Sequence, residues 1–507
     1  MRRSDQFFVP NRQSQYAIIF IVLRFLKKTL RQVWPILIAI LLGRGSSFDL
    51  FEIGIAGLGV FGMIASVLSY FKFYYSLSED ELIISKGIFR KVNLNIPFER
   101  IQSVNFRQNV VHQFFQVTEV EIETAGSAGQ ETKIDALSIE IANELREKIL
   151  ERKASLAPGE TEQTLDVRET ISPKKESIIK LSNQDLLRVG LTQNHLRPIG
   201  LIISLLSSLI GYSYAVDYSG GLASEIFDFF KQLYSNGLEV FLEISVFQAV
   251  SFVFILALIS VLYSLVTTFL RYYNLDLYRI NEKFLCEQGL ITRREFAALD
   301  NKIQILTWGQ NIFQKLIGLY NVHFKQARSS DQSRKQMRFI IPGCSKEKVD
   351  ELLYSWLDEQ VKFEAYYNVS IHYFIRRATY GSFFMLLILV PVFMVYPFSI
   401  GVLLLILFLF WFYMQWLRYK KKKFALNDQH LYIGGGVFNQ SHALLPFYKI
   451  QNLSVRQNYY QQRRGLASLH IITAGGTLSI PYIDYGMAEN LLDLFTYHVE
   501  ISKRAWM

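Results

Sequence analysis

Ile450-Gln451-Asn452-Leu453-Ser454-Val455-Arg456-Gln457-Asn458 is one of three copies of a spaced pattern, Ile-Gln followed by Gln-Asn, in this chain. The other copies are Ile101-Gln102-Ser103-Val104-Asn105-Phe106-Arg107-Gln108-Asn109 and Ile303-Gln304-Ile305-Leu306-Thr307-Trp308-Gly309-Gln310-Asn311. Working outward, each copy has a glycine upstream (Gly87, Gly289, Gly436) and an alanine downstream (Ala125, Ala327, Ala474). From glycine to first glutamine, from first to second glutamine, and from there to alanine, the spacings are 15, 6 and 17 residues in every copy. Four landmarks held in register three times without a gap mark a triplicated module.

Each copy follows apolar sequence long enough to matter. A bilayer core of about 30 Å takes about 20 helical residues. Phe51–Phe71, Pro198–Val216, Ile244–Leu270, Thr379–Phe398 and Ser399–Leu417 meet that length. Val33–Gly43 is short, and spans only if Phe25–Arg31 extends it while Lys27, Lys28 and Arg31 snorkel. Basic residues cluster before the first span (Arg24, Lys27, Lys28, Arg31), third (Lys180, Arg188, Arg197) and fifth (Arg376, Arg377), and after the sixth (Arg418, Lys420–Lys423). The loop between the third and fourth is acidic: Asp217, Glu225, Asp228, Glu239 and Glu243 against Lys231. The positive-inside rule then puts both termini and all three modules in the cytosol. The expected fold class is mixed α and β: a polytopic α-helical membrane protein, with about six spans as three hairpins and three cytosolic modules. The layout has residues 1–71 as N-terminal segment and first hairpin and 72–152 as module one. A linker with an amphipathic segment takes 153–197, and the second hairpin 198–270. Module two is 271–362, the third hairpin 363–417 and module three 418–507.

Composition agrees. Of 507 residues, 50% are apolar and 15% aromatic, while 19% are charged, below the roughly 25% of soluble domains. The formal net charge of +10 suits topology and attraction to anionic lipid better than nucleic acid, since no extended basic-aromatic stripe occurs. The polar start, Met1-Arg2-Arg3-Ser4, is not expected to be a cleavable signal. The two cysteines, Cys286 and Cys344, are expected as buried, reduced thiols.

Within a module the pattern reads as strands, then a helix. Glu81–Ile84, Val92–Ile96 and Val117–Thr124 alternate with period two. Gly87, Gly289 and Gly436 fall where a tight turn needs positive φ. Pro97 and Pro446 share a strand-end position that Leu299 fills in copy two. The closing helices present Ile141, Leu145 and Ile149; Val349, Leu352, Leu353, Trp356 and Leu357; and Leu491, Leu492, Leu494 and Phe495. Several antiparallel strands capped by a C-terminal helix outline a PH-like barrel.

On these residues the chain resembles the membrane-flanked bacterial PH-like domain family, in its large three-domain form, over nearly its whole length. The resemblance rests on the Gly turn, the Ile-Gln strand, the Gln-Asn pair, the Gly step at Gly318 and Gly465, and the Thr-Ala-Gly turn. Copy one departs with Gln116 at the Gly step, and copy two with Lys325-Gln326-Ala327 at the last turn. The resemblance implies β-barrel modules, a bacterial cell-membrane location and a hetero-complex with a smaller single-module relative. It implies no reaction.

Chemistry is sparse. Gly57-Leu58-Gly59-Val60-Phe61-Gly62 matches a dinucleotide pattern but lies within a span, where Gly62 and Ser66 suit helix approach instead. The eight histidines form no metal spacing, and no nucleophile elbow or P-loop occurs. No cofactor or metal is expected, nor an enzyme. The glutamines Gln102, Gln304 and Gln451 and the pairs Gln108-Asn109, Gln310-Asn311 and Gln457-Asn458 are read as turn-fixing amides rather than a ligand loop. Lys420, Lys421, Lys422 and Lys423 are candidate contacts for anionic headgroups as well as a stop signal. Function is expected to be scaffolding or interaction at the membrane, in envelope maintenance or stress tolerance. The alternative is a gated lipid or small-solute transporter with Ser204, Ser207, Ser208 and Tyr212 facing its path.

Overall fold

The computed structural model describes residues 7–27, 29, 50–88, 90–124, 132–156, 176–193, 195, 198–201, 204, 246–280, 282–327, 339–395 and 398–502. The expected span Val33–Gly43, most of Pro198–Val216, the acidic loop, Ser207, Ser208 and Tyr212 lie outside these; Ser204 is exposed. Contacts divide the chain into two compact units. The first comprises Met1–Ser177, Asp276–Ala297 and Arg328–Gln336, and the second Ile178–Leu275, Ala298–Ala327 and Met337–Met507.

In the first unit, helix α1 (Leu50–Phe71) leads into an antiparallel meander of β1 (Tyr74–Leu77), β2 (Glu81–Lys86) and β3 (Val92–Pro97). A 3-10 turn, Phe98–Arg100, redirects the chain into a second meander: β4 (Ile101–Gln108), short helix α2 (Val110–Phe114), β5 (Val117–Thr124) and β6 (Thr132–Ser138). Helix α3 (Ile139–Leu156) closes the repeat. Leu82, Ile84 and Ile96 from one sheet, Ile101, Val120, Ile122 and Ile134 from the other, and Leu145 and Ile149 of α3 form one core around Phe98. The inward face of α3 is Ala142, Leu145 and Ile149. Ile141 is exposed, which corrects the expected stripe, because the 3-4 spacing selects a small alanine over its larger neighbour.

The sheet does not end at β4. Further along the chain come β7 (Glu176–Lys180), α4 (Asn183–Leu191) and α5 (Val246–Tyr272). They are followed by β8 (Asp276–Ile280), β9 (Lys283–Gln288) and β10 (Arg293–Leu299). Strand β10 pairs antiparallel with β4, Arg293 opposite Gln108 and Arg294 opposite Arg107, so the first unit's sheet continues β6-β5-β4-β10-β9-β8. The first three strands of repeat two thus extend the sheet of repeat one.

The second unit repeats the device. Repeat two supplies β11 (Ile303–Gln310), α6 (Ile312–Leu316), β12 (Tyr320–Gln326), β13 (Phe339–Cys344) and α7 (Lys346–Leu357). Then come β14 (Tyr366–Asn368), α8 (His372–Val395) and α9 (Phe398–Lys421). Repeat three follows with β15 (Lys423–Leu426), β16 (His430–Gly435) and β17 (Gln440–Pro446). The order is β13-β12-β11-β17-β16-β15-β14, with β11 joined to β17 over five rows from Leu306↔Leu444 to Gln310↔Gln440. The last sheet is β18 (Asn452–Arg456), β19 (Leu466–Thr473) and β20 (Gly476–Asp484), with short helix α10 (Tyr459–Gln462) between β18 and β19. Helix α11 (Tyr485–Ile501) buries Ala488, Leu491 and Phe495, and Phe495 meets Phe447 at 4.9 Å. Leu494, expected inside, is exposed, on the same 3-4 spacing as in α3.

Three described helices hold runs long and apolar enough to cross a membrane: Val253–Tyr272, His372–Pro391 and Gly401–Lys421. Helix α1 has a shorter apolar run, Gly59–Phe71, and a side chain at Gly62 would overlap the Phe25 ring. Helix α8 begins at His372, ahead of the apolar run, so Arg376 and Arg377 are helical; the His372 amide donates to Ser370 Oγ at 3.4 Å. The amphipathic segment before the second hairpin begins on strand β7 and becomes helical at Asn183. There Ser182 and Asp185 form a capping box. Its buried face packs on α5, where Ser264 Oγ donates to the Gly190 carbonyl at 2.8 Å and Ser260 Oγ to that of His195 at 2.9 Å.

Candidate functional site

The repeat landmarks sit at turns, helix caps and the strands beside them. Gly87, Gly289 and Gly436 have φ of 117°, 109° and 103°, and a side chain at Gly87 or Gly436 would overlap the carbonyl of Arg90 or Asn439. Asn109, Asn311 and Asn458 are the N-caps of α2, α6 and α10. Each side chain accepts from the amide three residues on, at 2.9, 2.8 and 3.0 Å, and that residue's side chain bonds back to the asparagine amide. These reciprocal partners, His112, Gln314 and Gln461, are buried and were missed in the sequence. The capping-box spacing was there to find in copies two and three, while histidine disguises it in copy one. His112 also stacks on Phe20 at 3.6 Å, and burial lowers its pKa. Gln108 and Gln457 donate across the turn to the Val117 and Leu466 carbonyls. Gln310 instead bonds the Gln440 side chain on the neighbouring repeat at 3.0 Å. Gln304 is buried on β11, and the Gln451 backbone N–H donates to the Ile472 carbonyl. Cys286 and Cys344 are both free and buried, and burial raises both thiols.

The glycines, the capping asparagines, Gln108 and Gln457 hold turns. The surface suited to a ligand lies elsewhere, at the foot of α8 and α9. The first turn of α8 docks on repeat three: the Ser370 amide donates to the Tyr482 carbonyl at 2.7 Å, and His372 Nδ1 meets the Tyr460 hydroxyl at 2.8 Å. Helices α8 and α9 approach closely at Gly381, where a side chain would overlap the Trp411 ring. Below that crossing a cavity of about 690 Å³ opens, lined by Tyr373, Arg376, Arg377, Tyr380, Phe410, Trp411, Met414, Gln415, Arg418, Phe438 and Tyr482.

Its chemistry is cationic and aromatic. Arg376 donates to the Tyr482 hydroxyl at 3.0 Å and lies 5.4 Å from the Tyr380 ring centre. Arg377 donates to the Tyr373 hydroxyl at 3.3 Å, and Arg418 to Gln415 Oε1 at 3.3 Å. No carboxylate is among the lining residues, and the three guanidinium groups donate to neutral partners: Tyr482, Tyr373 and Gln415. Tyr482 has φ 53°, a left-handed conformation that costs a non-glycine residue about 1–2 kcal/mol and that the docking of Ser370 holds in place. Phe438 reaches the cavity from the Gly436 turn, which gives that landmark a positioning role. Guanidinium groups ringed by tyrosine and tryptophan at the end of an apolar hairpin suit a phosphate at a headgroup interface.

The lysine run does not enter this cavity. Lys420 lies 4.3 Å from the Trp416 ring centre. Lys421 ends α9, while Lys422 packs its stem beside Gly435 and burial lowers its pKa. Lys423 opens β15, exposed. By sequence alone Arg376, Arg377 and Arg418 are topology signals. Tyrosines three residues before Arg376 and three after Arg377 are the sequence sign that they line a site.

A membrane protein of repeated modules, each of paired meanders backed by a helix, is the class this architecture defines. The chain belongs to the bacterial PH domain family, whose model matches residues 18–153, 238–361 and 384–498. It is also similar to the UPF0699 transmembrane protein YdbT of Bacillus subtilis (strain 168), 23% identical over 426 residues that cover 82% of this chain and 83% of that protein.

Proposed function

We propose that this protein is a non-enzymatic, multi-pass membrane protein whose PH-like modules form an interaction surface on the cytosolic face, with the phosphate of an anionic lipid headgroup held in the arginine cavity. The observation that carries this reading is that Arg376, Arg377 and Arg418 line one cavity, with aromatic walls and no carboxylate among its lining residues, at the foot of an apolar hairpin. Three hairpins giving about six spans, both termini cytosolic, barrel-closed modules and the seven-segment domain layout belong to the same proposal, supported by the distribution of basic residues and the three family matches. A single bound phosphate contacted by two or three arginines, at 1.5–3 kcal/mol for each charge-assisted hydrogen bond, exceeds what the lysine run offers at about 1 kcal/mol per exposed residue.

Native mass spectrometry of the detergent-purified protein, titrated with phosphatidylglycerol or phosphatidylcholine, tests this. The anionic lipid should bind at least tenfold tighter, and the triple variant Arg376→Gln, Arg377→Gln, Arg418→Gln should lose that preference while Lys420→Gln with Lys423→Gln keeps most of it. Equal binding of both lipids by the wild type would sink the reading.

A further inference from the structure

Each seam joins the strand bearing Ile-Gln and Gln-Asn in one repeat to the third strand of the next: β4 to β10 in the first unit, β11 to β17 in the second. Among the described residues, the third copy of that strand, β18, ends its sheet with β19 as its one strand neighbour. The third strand of the first repeat, β3, ends its sheet likewise, with β2 as neighbour. Of three equivalent edges of each kind, two are paired with described strands of the chain and one is left over at each end of the series. An open edge strand presents a row of main-chain donors and acceptors that proteins ordinarily cover or disrupt. Neither edge is disrupted here. The ladders of β18 with β19 and of β3 with β2 run without a register shift, and the only proline, Pro97, is the last residue of β3.

We propose that β18 of one copy pairs antiparallel with β3 of a second copy, repeating between chains the seam made twice within each. The inference rests on sheet topology and is independent of the lipid reading. The two internal seams pair the same repeat positions, since Gln108 faces Arg293 and Gln310 faces Gln440. That register sets Gln457 opposite Lys91, and the Trp308–His442 row sets Val455 opposite Asn93. No carboxylate or like-charged pair opposes another in this frame, because Arg456 falls opposite Val92. The contact is heterologous, so successive copies close into a ring or extend as an array.

Two full-length variants with different tags, Val455→Cys and Asn93→Cys, are co-expressed and oxidised in native membranes; directly opposed residues have Cβ atoms about 4.5–5.5 Å apart. The expected result is a disulfide-linked band at twice the monomer mass that carries both tags and is at least fivefold stronger than with Asn452→Cys in place of Val455→Cys. Mass photometry of the wild type in detergent should show species above the monomer. A monomeric wild type, or a cross-link as strong from the displaced cysteine, overturns the proposal. A Val455→Cys adduct with a different membrane protein also overturns it and assigns the edge to that protein.

Discussion

The two seams perform one topological task with different chemistry. The first is short and charged. It has two ladder rows, Arg293↔Gln108 and Arg294↔Arg107, and is clamped by Arg146 of α3, which bonds Glu295 of β10 at 2.8 Å and lies 4.2 Å from the Phe106 ring centre on β4. The second is long and aromatic. It has five rows, with Trp308 stacked on His442 at 5.6 Å and the Tyr432 hydroxyl 2.6 Å from His442 Nδ1. Phe106 and Trp308 are the same repeat position, so one residue is a platform for a cation in one seam and a stacking partner in the other. What the repeat conserves is the pairing of main chains. The side chains above it are free to diverge, and the open third position carries Val455.

The difference is sharpest at Lys449, which lies fully buried beside the second seam. Its Nζ donates to the Asn301 carbonyl, burial pushes its pKa down to about 8, and Asp300 offsets part of that. The ordinary value is 10.5. Between pH 8 and 10.5 the unfolded chain therefore binds a proton that the folded chain does not, so this group makes stability rise with pH through that window, by up to about 3 kcal/mol. Lys449→Met should flatten the rise, read as the difference between the two proteins' melting temperatures in detergent from pH 7.5 to 10. Parallel curves would mean that Lys449 does not lose its proton on folding and that the second seam is no more desolvated than the first.

A smaller effect separates the turns that follow the seam strands. The second and third repeats place Gly318 (φ 67°) and Gly465 (φ 65°) there, and the first holds Gln116 at φ 53°. A left-handed residue costs about 1–2 kcal/mol, and glycine returns about 0.5–1 of that through the entropy of the unfolded chain. Gln116→Gly should thus stabilise the first unit by about 0.5–1 kcal/mol. Gly465→Gln, with open space around it, should lose a similar amount. Thermal melting of both variants decides. If Gln116→Gly destabilises, the glutamine side chain makes a contact worth more than the strain.

Much of this was legible in the sequence, and the gaps have physical causes. The triplication and the glycine turns follow from spacing, because local turn geometry is encoded locally, and the motifs at those spacings carry the family resemblance. The seams were invisible, since period-two alternation fixes which face of β4 is buried but not which strand covers its edge. Ala142 was overlooked in favour of Ile141 because a hydrophobic stripe is judged by size while close helix–sheet contact selects for smallness. The cavity arginines were hidden for another reason. A basic residue at a helix end obeys the positive-inside rule whether it meets bulk water or a binding site, and only Tyr482, which is distant in sequence and meets Arg376 at 3.0 Å, tells the two apart.

The smallest expected effect tests whether charge really distinguishes the first seam. Arg146 and Glu295 each keep about a quarter of their side-chain surface exposed, so solvent screens their attraction and the net worth of the pair is under 1 kcal/mol. The Arg146 contact with Phe106 adds about 0.5–1 kcal/mol that does not depend on Glu295. A double-mutant cycle of Arg146→Met and Glu295→Gln, run at 0.05 and 0.5 M salt, separates the two. The coupling between the residues should be about 0.5 kcal/mol at low salt and shrink at high salt. The remaining cost of Arg146→Met should persist, because it belongs to the ring and the arginine stem. A coupling indifferent to salt would show the pair to be desolvated, and would make the first seam resemble the second.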